Sequence, residues 1–360
     1  MTARPVAERA LRIISPADLP GPSGGTIYNE RIARAWGVDI EWLAGGWPFP
    51  SEADLGLLRD ALLPCGVARS EPVLLDGLIG CAAPGVLREA RTASARIVVL
   101  VHLPLPAETS LTPHEIDTLA ASEAASLEHA GAVIATSRWA AADLHQRYGL
   151  VSVHVAEPGT DPSPLAPGST PPRLVTVAAY SPRKNHGLLI EAFKHSSLRD
   201  LPWSAQWVGA DPTGVAQQST ARAVAAAGLT SRISVQGPVS GSDLAATWAG
   251  ADVLLLPSRA ETYAMVVAEA LACGVPAMVG AGTGAAETLR GNPLDAGMPG
   301  LALPIDDPGV WARAIGEWLT SPTQRQAWRD AALHRRTHVK SWQHTAAVIA
   351  HVLHTNIEVA

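Results

Sequence analysis

Lysine is nearly absent from these 360 residues: Lys184, Lys194 and Lys340 are three of the 27 lysines and arginines together. Against 33 acidic residues this leaves a formal net charge of −6, with neither the basic face that nucleic acid needs nor a run of cations for an anionic membrane. Cysteine is equally scarce, and Cys65, Cys81 and Cys273 are too scattered for a disulfide framework or a zinc site. Apolar runs such as "ARIVVLVHLPLPA" break well short of the roughly 18–20 residues that span a bilayer. The opening "MTARPVAERALRII" is interrupted by charge and reads as no signal peptide. The glycine spacing of a dinucleotide site is missing, and so is an Asp-x-Asp pair at a strand end. These absences predict a cytoplasmic protein with no nucleic-acid partner, no transmembrane segment, no cofactor and a metal-independent site.

What is there describes a folded α/β protein. Hydrophobic residues make up 47% and charged residues 17%, and the length favours two domains. Short β-rich runs alternate with helical spacing almost throughout: "LRIIS", "DIEWLAG", "VLLDGL", "RIVVLVHL", "AVIATS" and "VSVHVA" come first. After "EPGTDPSPLAPGSTPPR" (157–173), a stretch of turn formers, "LVTVAAY", "AQWVGA", "ISVQG", "DVLLLPS", "VPAMVG" and "GLALP" follow. Apolar strands separated by helices belong to parallel sheets covered on both faces. The expected architecture is two doubly wound, Rossmann-like parallel-sheet domains facing across a cleft, over 1–165 and 166–340. A terminal helix, 341–360, is expected to pack back across the hinge.

Open α/β sheets bind ligands at the carboxyl ends of their strands, and the candidate residues lie there. Gly24 and Gly25 stand between the first strand and its helix, where backbone amides can approach an anion. His102 follows the fourth strand in "VHLPLP". Arg183 and Lys184 sit in a strand-to-helix loop of the second half, as cations suited to a diphosphate. The stretch "DVLLLPSRAETYAMVVAEALACG" ends its strand at Ser258 and carries Glu261 in the turn. Its helix is predicted from about Thr262 to Cys273, closed by Gly274, with Glu269 inside it. Eight helical residues rise about 12 Å, the span of a nucleotide sugar from hexose to ribose. Ser258, Thr262, Tyr263, Ala264 and Met265 then line the turn and helix mouth as donor-binding residues. His334 and His338 are one turn apart, but no acid stands in ligand register.

Taken in order, these blocks resemble the retaining family-4 glycosyltransferases of the GT-B fold, also called glycosyl transferases group 1. The resemblance rests on "ETYAMVVAE" as the family's double-glutamate motif, on "TVAAYSPRKNHGLLIEAF", and in the first half on "GPSGGTIYNERIARAW", "VHLPLP" and "EPGTD". It implies a nucleotide diphosphate-sugar donor, UDP- or GDP-linked, and an acceptor hydroxyl on a small molecule, lipid or glycan. It further implies His102, Lys184 and Glu261 as catalytic residues, with Lys184 on the diphosphate, Glu261 on the donor sugar, Glu269 on the ribose and Gly25 near the β-phosphate. Three positions depart from the family. Ala179 stands where an arginine is usual, Asn185 where a glycine is, and Glu261-Thr262-Tyr263-Ala264 replaces E-G-F-G. A weak or inactive module that binds a sugar nucleotide or partner, and a nucleotide-sugar epimerase, are the alternative readings.

Overall fold

Among the described residues, twelve short strands, none longer than five residues, organise the chain. The computed structural model describes residues 11–19, 23–66, 71–291 and 297–355. Its first half runs β1 (Arg12–Pro16), α1 (Gly24–Trp36), β2 (Ile40–Leu43), α2 (Glu52–Leu62), β3 (Val73–Asp76), α3 (Gly77–Gly80) and α4 (Pro84–Thr92). It continues with β4 (Ile97–Val101), α5 (Pro113–His129), β5 (Ala132–Ala135), α6 (Arg138–Tyr148) and β6 (His154–Val155). The second half contains β7 (Arg173–Val177), α7 (His186–Phe193), β8 (Ser204–Val208), α8 (Val215–Ala226), β9 (Ile233–Gln236) and α9 (Gly241–Ala249). After these come β10 (Val253–Leu256), α10 (Met265–Ala272), β11 (Ala277–Gly280), α11 (Gly284–Arg290), β12 (Gly300–Leu303), α12 (Pro308–Thr320), α13 (Pro322–Arg336) and α14 (Trp342–Thr355).

The chain divides into two compact units. Thr160–Val339 form the second, while the residues up to Gly159 and those from Lys340 onward form the first. Each holds a six-stranded sheet, ordered β2-β1-β3-β4-β5-β6 in the first and β12-β11-β10-β7-β8-β9 in the second. All of the recorded strand pairings are parallel. The reason is visible in β10, whose four residues are all buried. Val253 and Leu255 join one core with Trp207, Trp311 and Trp318, whereas Leu254 and Leu256 join another with Val267 and Leu271. A strand apolar on both faces needs helices above and below, and only crossover connections supply them. Each such side chain taken from water contributes about 1.5–3 kcal/mol.

The order of strands matters more for function than their number. In the second sheet the chain leaves β7 outward to β8 and β9, then returns to place β10 on the other side of β7. In the first it leaves β1 to β2 and returns to place β3 on the other side of β1. At these reversals the loops part and leave a crevice outside the carboxyl ends of the strands.

The segment from Thr160 belongs with the second unit, where the Ala166 amide donates to the Cys273 carbonyl at 2.9 Å. The last helix, α14, packs on α1 of the first unit. Trp36 Nε1 donates to the Ala346 carbonyl at 3.1 Å, and Trp342 meets Tyr28 edge to face with centroids 5.5 Å apart. Gly159 allows this docking, since a Cβ there would lie 2.3 Å from the Trp342 nitrogen.

Candidate functional site

The second unit's reversal brings Lys184 and Glu261 together, 77 positions apart in sequence. Lys184 ends a 3-10 turn, Pro182–Lys184, after β7, and Glu261 lies in the loop after β10. Lys184 Nζ donates to Glu261 Oε1 at 2.5 Å, with the two side chains 15% and 8% exposed. Arg183 Nη1 donates to the Ala260 carbonyl at 3.1 Å and stands 3.9 Å from Glu261 Oε2. Burial pushes the Glu261 carboxyl up, but Lys184 and then Arg183 pull harder, so it lies below its ordinary value. Ser258 is buried beside this turn, at the end of the same strand. Ala179, the position where the family usually has arginine, is exposed past the end of β7. Arg183, four residues further on, stands beside Lys184 as a second cation near Glu261.

Asn185 stitches the loops into one body. Its Nδ2 donates to the Pro257 carbonyl at 3.2 Å and the Ile305 carbonyl at 3.0 Å, while its Oδ1 accepts from Arg259 Nη2 at 3.0 Å. It does so from a left-handed backbone, φ 57°, where asparagine and glycine are the residues best tolerated. The next residue, His186, is buried and stacks on Tyr180 at 4.9 Å. Burial, with Lys184 adding to it, lowers its pKa to about 4.

The helix after Glu261 begins later than its sequence predicts. Thr262, Tyr263 and Ala264 are not helical, and α10 starts at Met265. Ala264 takes φ 66°, left-handed backbone that interrupts helical winding at its own position. Alanine's high helix propensity gives no hint of this. Only Met265 to Glu269 is helical, a rise of about 6 Å, so the 12 Å helical spacing from Glu261 to Glu269 does not hold. The predicted end stands closer: Ala272 is the last helical residue, Cys273 the cap, and Gly274 follows at φ 73°. Val267, Ala268, Ala270 and Leu271 are buried, whereas Met265, Val266 and Glu269 are half-buried.

The turn itself is gripped by α11. Gly284 donates its amide to the Glu261 carbonyl at 2.7 Å, and Thr288 Oγ1 donates to the Tyr263 carbonyl. A Cβ on Gly284 would lie 1.9 Å from the Thr262 carbonyl oxygen, so only glycine fits.

A second polar cluster stands at the first unit's reversal. Gly24 and Gly25 begin α1, capped by the Ser23 hydroxyl, and Gly25 lies against the His102 ring: a Cβ there would be 2.9 Å from Cδ2. His102 follows β4, with Nε2 3.0 Å from Asn29 Oδ1 and 3.6 Å from Asp76 Oδ2. Asn29 Nδ2 donates to Asp76 Oδ2 at 2.6 Å and to Ser15 Oγ at 2.8 Å. Burial lowers the His102 pKa, and the Asp76 charge opposes that in part. Ser15, Asn29 and Asp76 are not among the sequence candidates. A signal was present, since Asp76 ends an apolar strand just as His102 follows one.

Among the described residues, no group of three or more His, Cys, Asp or Glu side chains is placed to hold a metal ion. No helix among them is long and apolar enough to cross a membrane.

Comparison with known proteins bears on the same span. The model for "Glycosyl transferases group 1" matches residues 160–335, the span that holds the Lys184–Glu261 pair. Over this span the chain is similar to the glycosyl transferases group 1. A D-inositol 3-phosphate glycosyltransferase of Salinispora tropica is 29% identical over 240 residues, covering 59% of this chain and 48% of the relative. Its counterpart in Kineococcus radiotolerans is 29% identical over 245 residues, covering 61% and 56%. This chain thus spans about half the length of the curated relatives it matches. Among solved structures, sucrose-phosphate synthase from Thermosynechococcus elongatus aligns with a TM-score of 0.79 at 19% identity, covering 96% of this chain and 98% of that one. Anabaena HepE in complex with UDP and glucose aligns at 0.72 and 18%, covering 96% and 99%. At such identities the likeness speaks for the fold, which is GT-B, built of two Rossmann-like units.

Proposed function

We propose that this chain is a glycosyltransferase that moves a sugar from a nucleotide diphosphate-sugar to an acceptor hydroxyl, with retention at the anomeric carbon and without a metal ion. The observation that carries the reading is the Lys184–Glu261 pair at the reversal of the second sheet, inside the span that matches the family. Lys184 has three N–H donors, so it can keep Glu261 while another hydrogen turns to a phosphate oxygen. Glu261, held ionised, accepts from donor-sugar hydroxyls, and Glu269 one turn into α10 accepts from the ribose. The bond from the anomeric carbon to the β-phosphate oxygen breaks, and the acceptor oxygen bonds that carbon from the same side. The acceptor proton passes to the leaving diphosphate. The chain supplies position and charge, which is where most of the acceleration in such transfers arises. A UDP-sugar is the first donor to try, because HepE is solved with UDP-glucose.

The test is transfer from UDP- and GDP-sugars across a panel of hydroxyl acceptors. Lys184→Ala and Glu261→Ala are each expected to lower the rate by about 10²–10³ while the fold persists. Near-normal transfer by both variants would remove the assigned roles.

A second reading, a module that binds the sugar nucleotide without turning it over, is favoured by Ala179, which puts no cation at its position. Calorimetry showing tight UDP binding, with no turnover across the panel, would select it.

A further inference from the structure

The Ser15–Asn29–Asp76–His102 cluster settles where a proton sits. Asn29 has one accepting end and one donating end, and its contacts tell them apart. The atom near Asp76 Oδ2, at 2.6 Å, also lies 2.8 Å from Ser15 Oγ. A carboxylate oxygen accepts, so that atom must be the amide nitrogen; turning the amide over would press two acceptors together at 2.6 Å. Asp76 is itself fixed, because its other oxygen accepts from the Leu78 amide at 2.8 Å. Asn29 Oδ1 is thereby turned toward His102 Nε2 at 3.0 Å. An amide oxygen only accepts, and the hydrogen between these two atoms has to come from the ring.

We infer that Asp76, acting through Asn29, holds His102 as the Nε2–H tautomer and makes Nδ1 the basic nitrogen of the ring. Asp76 is then a positioning residue. Burial holds the ring neutral at neutral pH, so the choice of tautomer is a real one. The ring is fixed in place as well as in protonation, by Tyr28 edge to face at 5.1 Å and by Gly25 against Cδ2. Any group that meets Nδ1, a sugar hydroxyl included, meets an acceptor and has to donate. That consequence for substrate rests on the proposed transfer reaction; the tautomer does not.

The experiment is nitrogen NMR on the whole 360-residue chain labelled in its histidines, near pH 7, with the His102 signals assigned by their loss in His102→Gln. The expected result is the Nε2–H pattern for His102. An Nδ1–H pattern, or an even mixture, overturns the inference whatever the enzyme does. In Asp76→Asn, whose amide can donate to Asn29 and let it turn over, the pure pattern is expected to give way to a mixture. The turnover number should fall roughly 10–100-fold with the donor KM little changed, as when an orienting partner of a histidine is lost. A folded Asp76→Asn protein that keeps the pure pattern overturns the role of Asp76. If that variant does not fold, Asn29→Ala replaces it, with loss of the pure pattern expected and retention overturning the relay. A wild-type protein with the Nε2–H ring and no transfer activity would instead count against the proposed function alone.

Discussion

Ala264 and Asn185 have φ 66° and 57°, and both stand where the family usually has glycine. At such angles a Cβ crowds the following carbonyl oxygen, at a cost of about 1–2 kcal/mol. Alanine has nothing to set against that cost, because its methyl makes no hydrogen bond. Ala264→Gly is therefore expected to stabilise the protein by about 1 kcal/mol, read as a higher urea midpoint at unchanged slope. Asn185 differs, since its side chain joins the Pro257 and Ile305 carbonyls and Arg259. Removing three hydrogen bonds, each contributing about 1 kcal/mol, outweighs the relief of strain. Asn185→Gly should lower the midpoint. If the two glycines shifted stability in the same direction, this account of the turn would be wrong.

At the scale of elements, α11 governs a turn to which it contributes no candidate residue. Its first residue, Gly284, leaves space for the Thr262 carbonyl, and its Thr288 hydroxyl holds the Tyr263 carbonyl. Gly284→Ala is expected to displace residues 261–264, cost about 1–3 kcal/mol as overpacking does, and reduce transfer without touching Lys184 or Glu261. Thermal melts and transfer assays on one preparation would check it. The twelve described strands were legible in the sequence: central ones such as β4 and β10, buried on both faces, as unbroken apolar runs, and the partly exposed edge strands β2, β6, β9 and β12 as short β-rich runs between helical segments. The polar residues at strand ends were partly legible: Lys184 and Glu261 stood out, Asp76 and Asn29 did not. What stayed hidden was set by tertiary fit. The late start of α10 depends on a left-handed alanine, and the need for glycine at 284 depends on a carbonyl more than twenty residues away.

At the scale of the molecule, the first unit is assembled from two separate lengths of chain, since the residues from Lys340 onward return to it. The α14 helix covers α1, the helix that carries Asn29 and begins with Gly24. Ending the chain after Val339 would strip Trp342 from Tyr28 and the Ala346 carbonyl from Trp36. Hydrogen exchange on that truncated protein should show α1 and β1 losing protection while Thr160–Val339 keeps it. Uniform loss in both units would count against the division. The shortage of lysine bears on the molecule as a chemical object. Lys194 and Lys340 present 48% and 39% of their side chains to solvent, and Lys184 presents 15% with its amine committed to Glu261. To a reagent that seeks lysine amines the protein is therefore almost blank. The surface offers two targets that carry no proposed role, and the third reacts only when its carboxylate lets go.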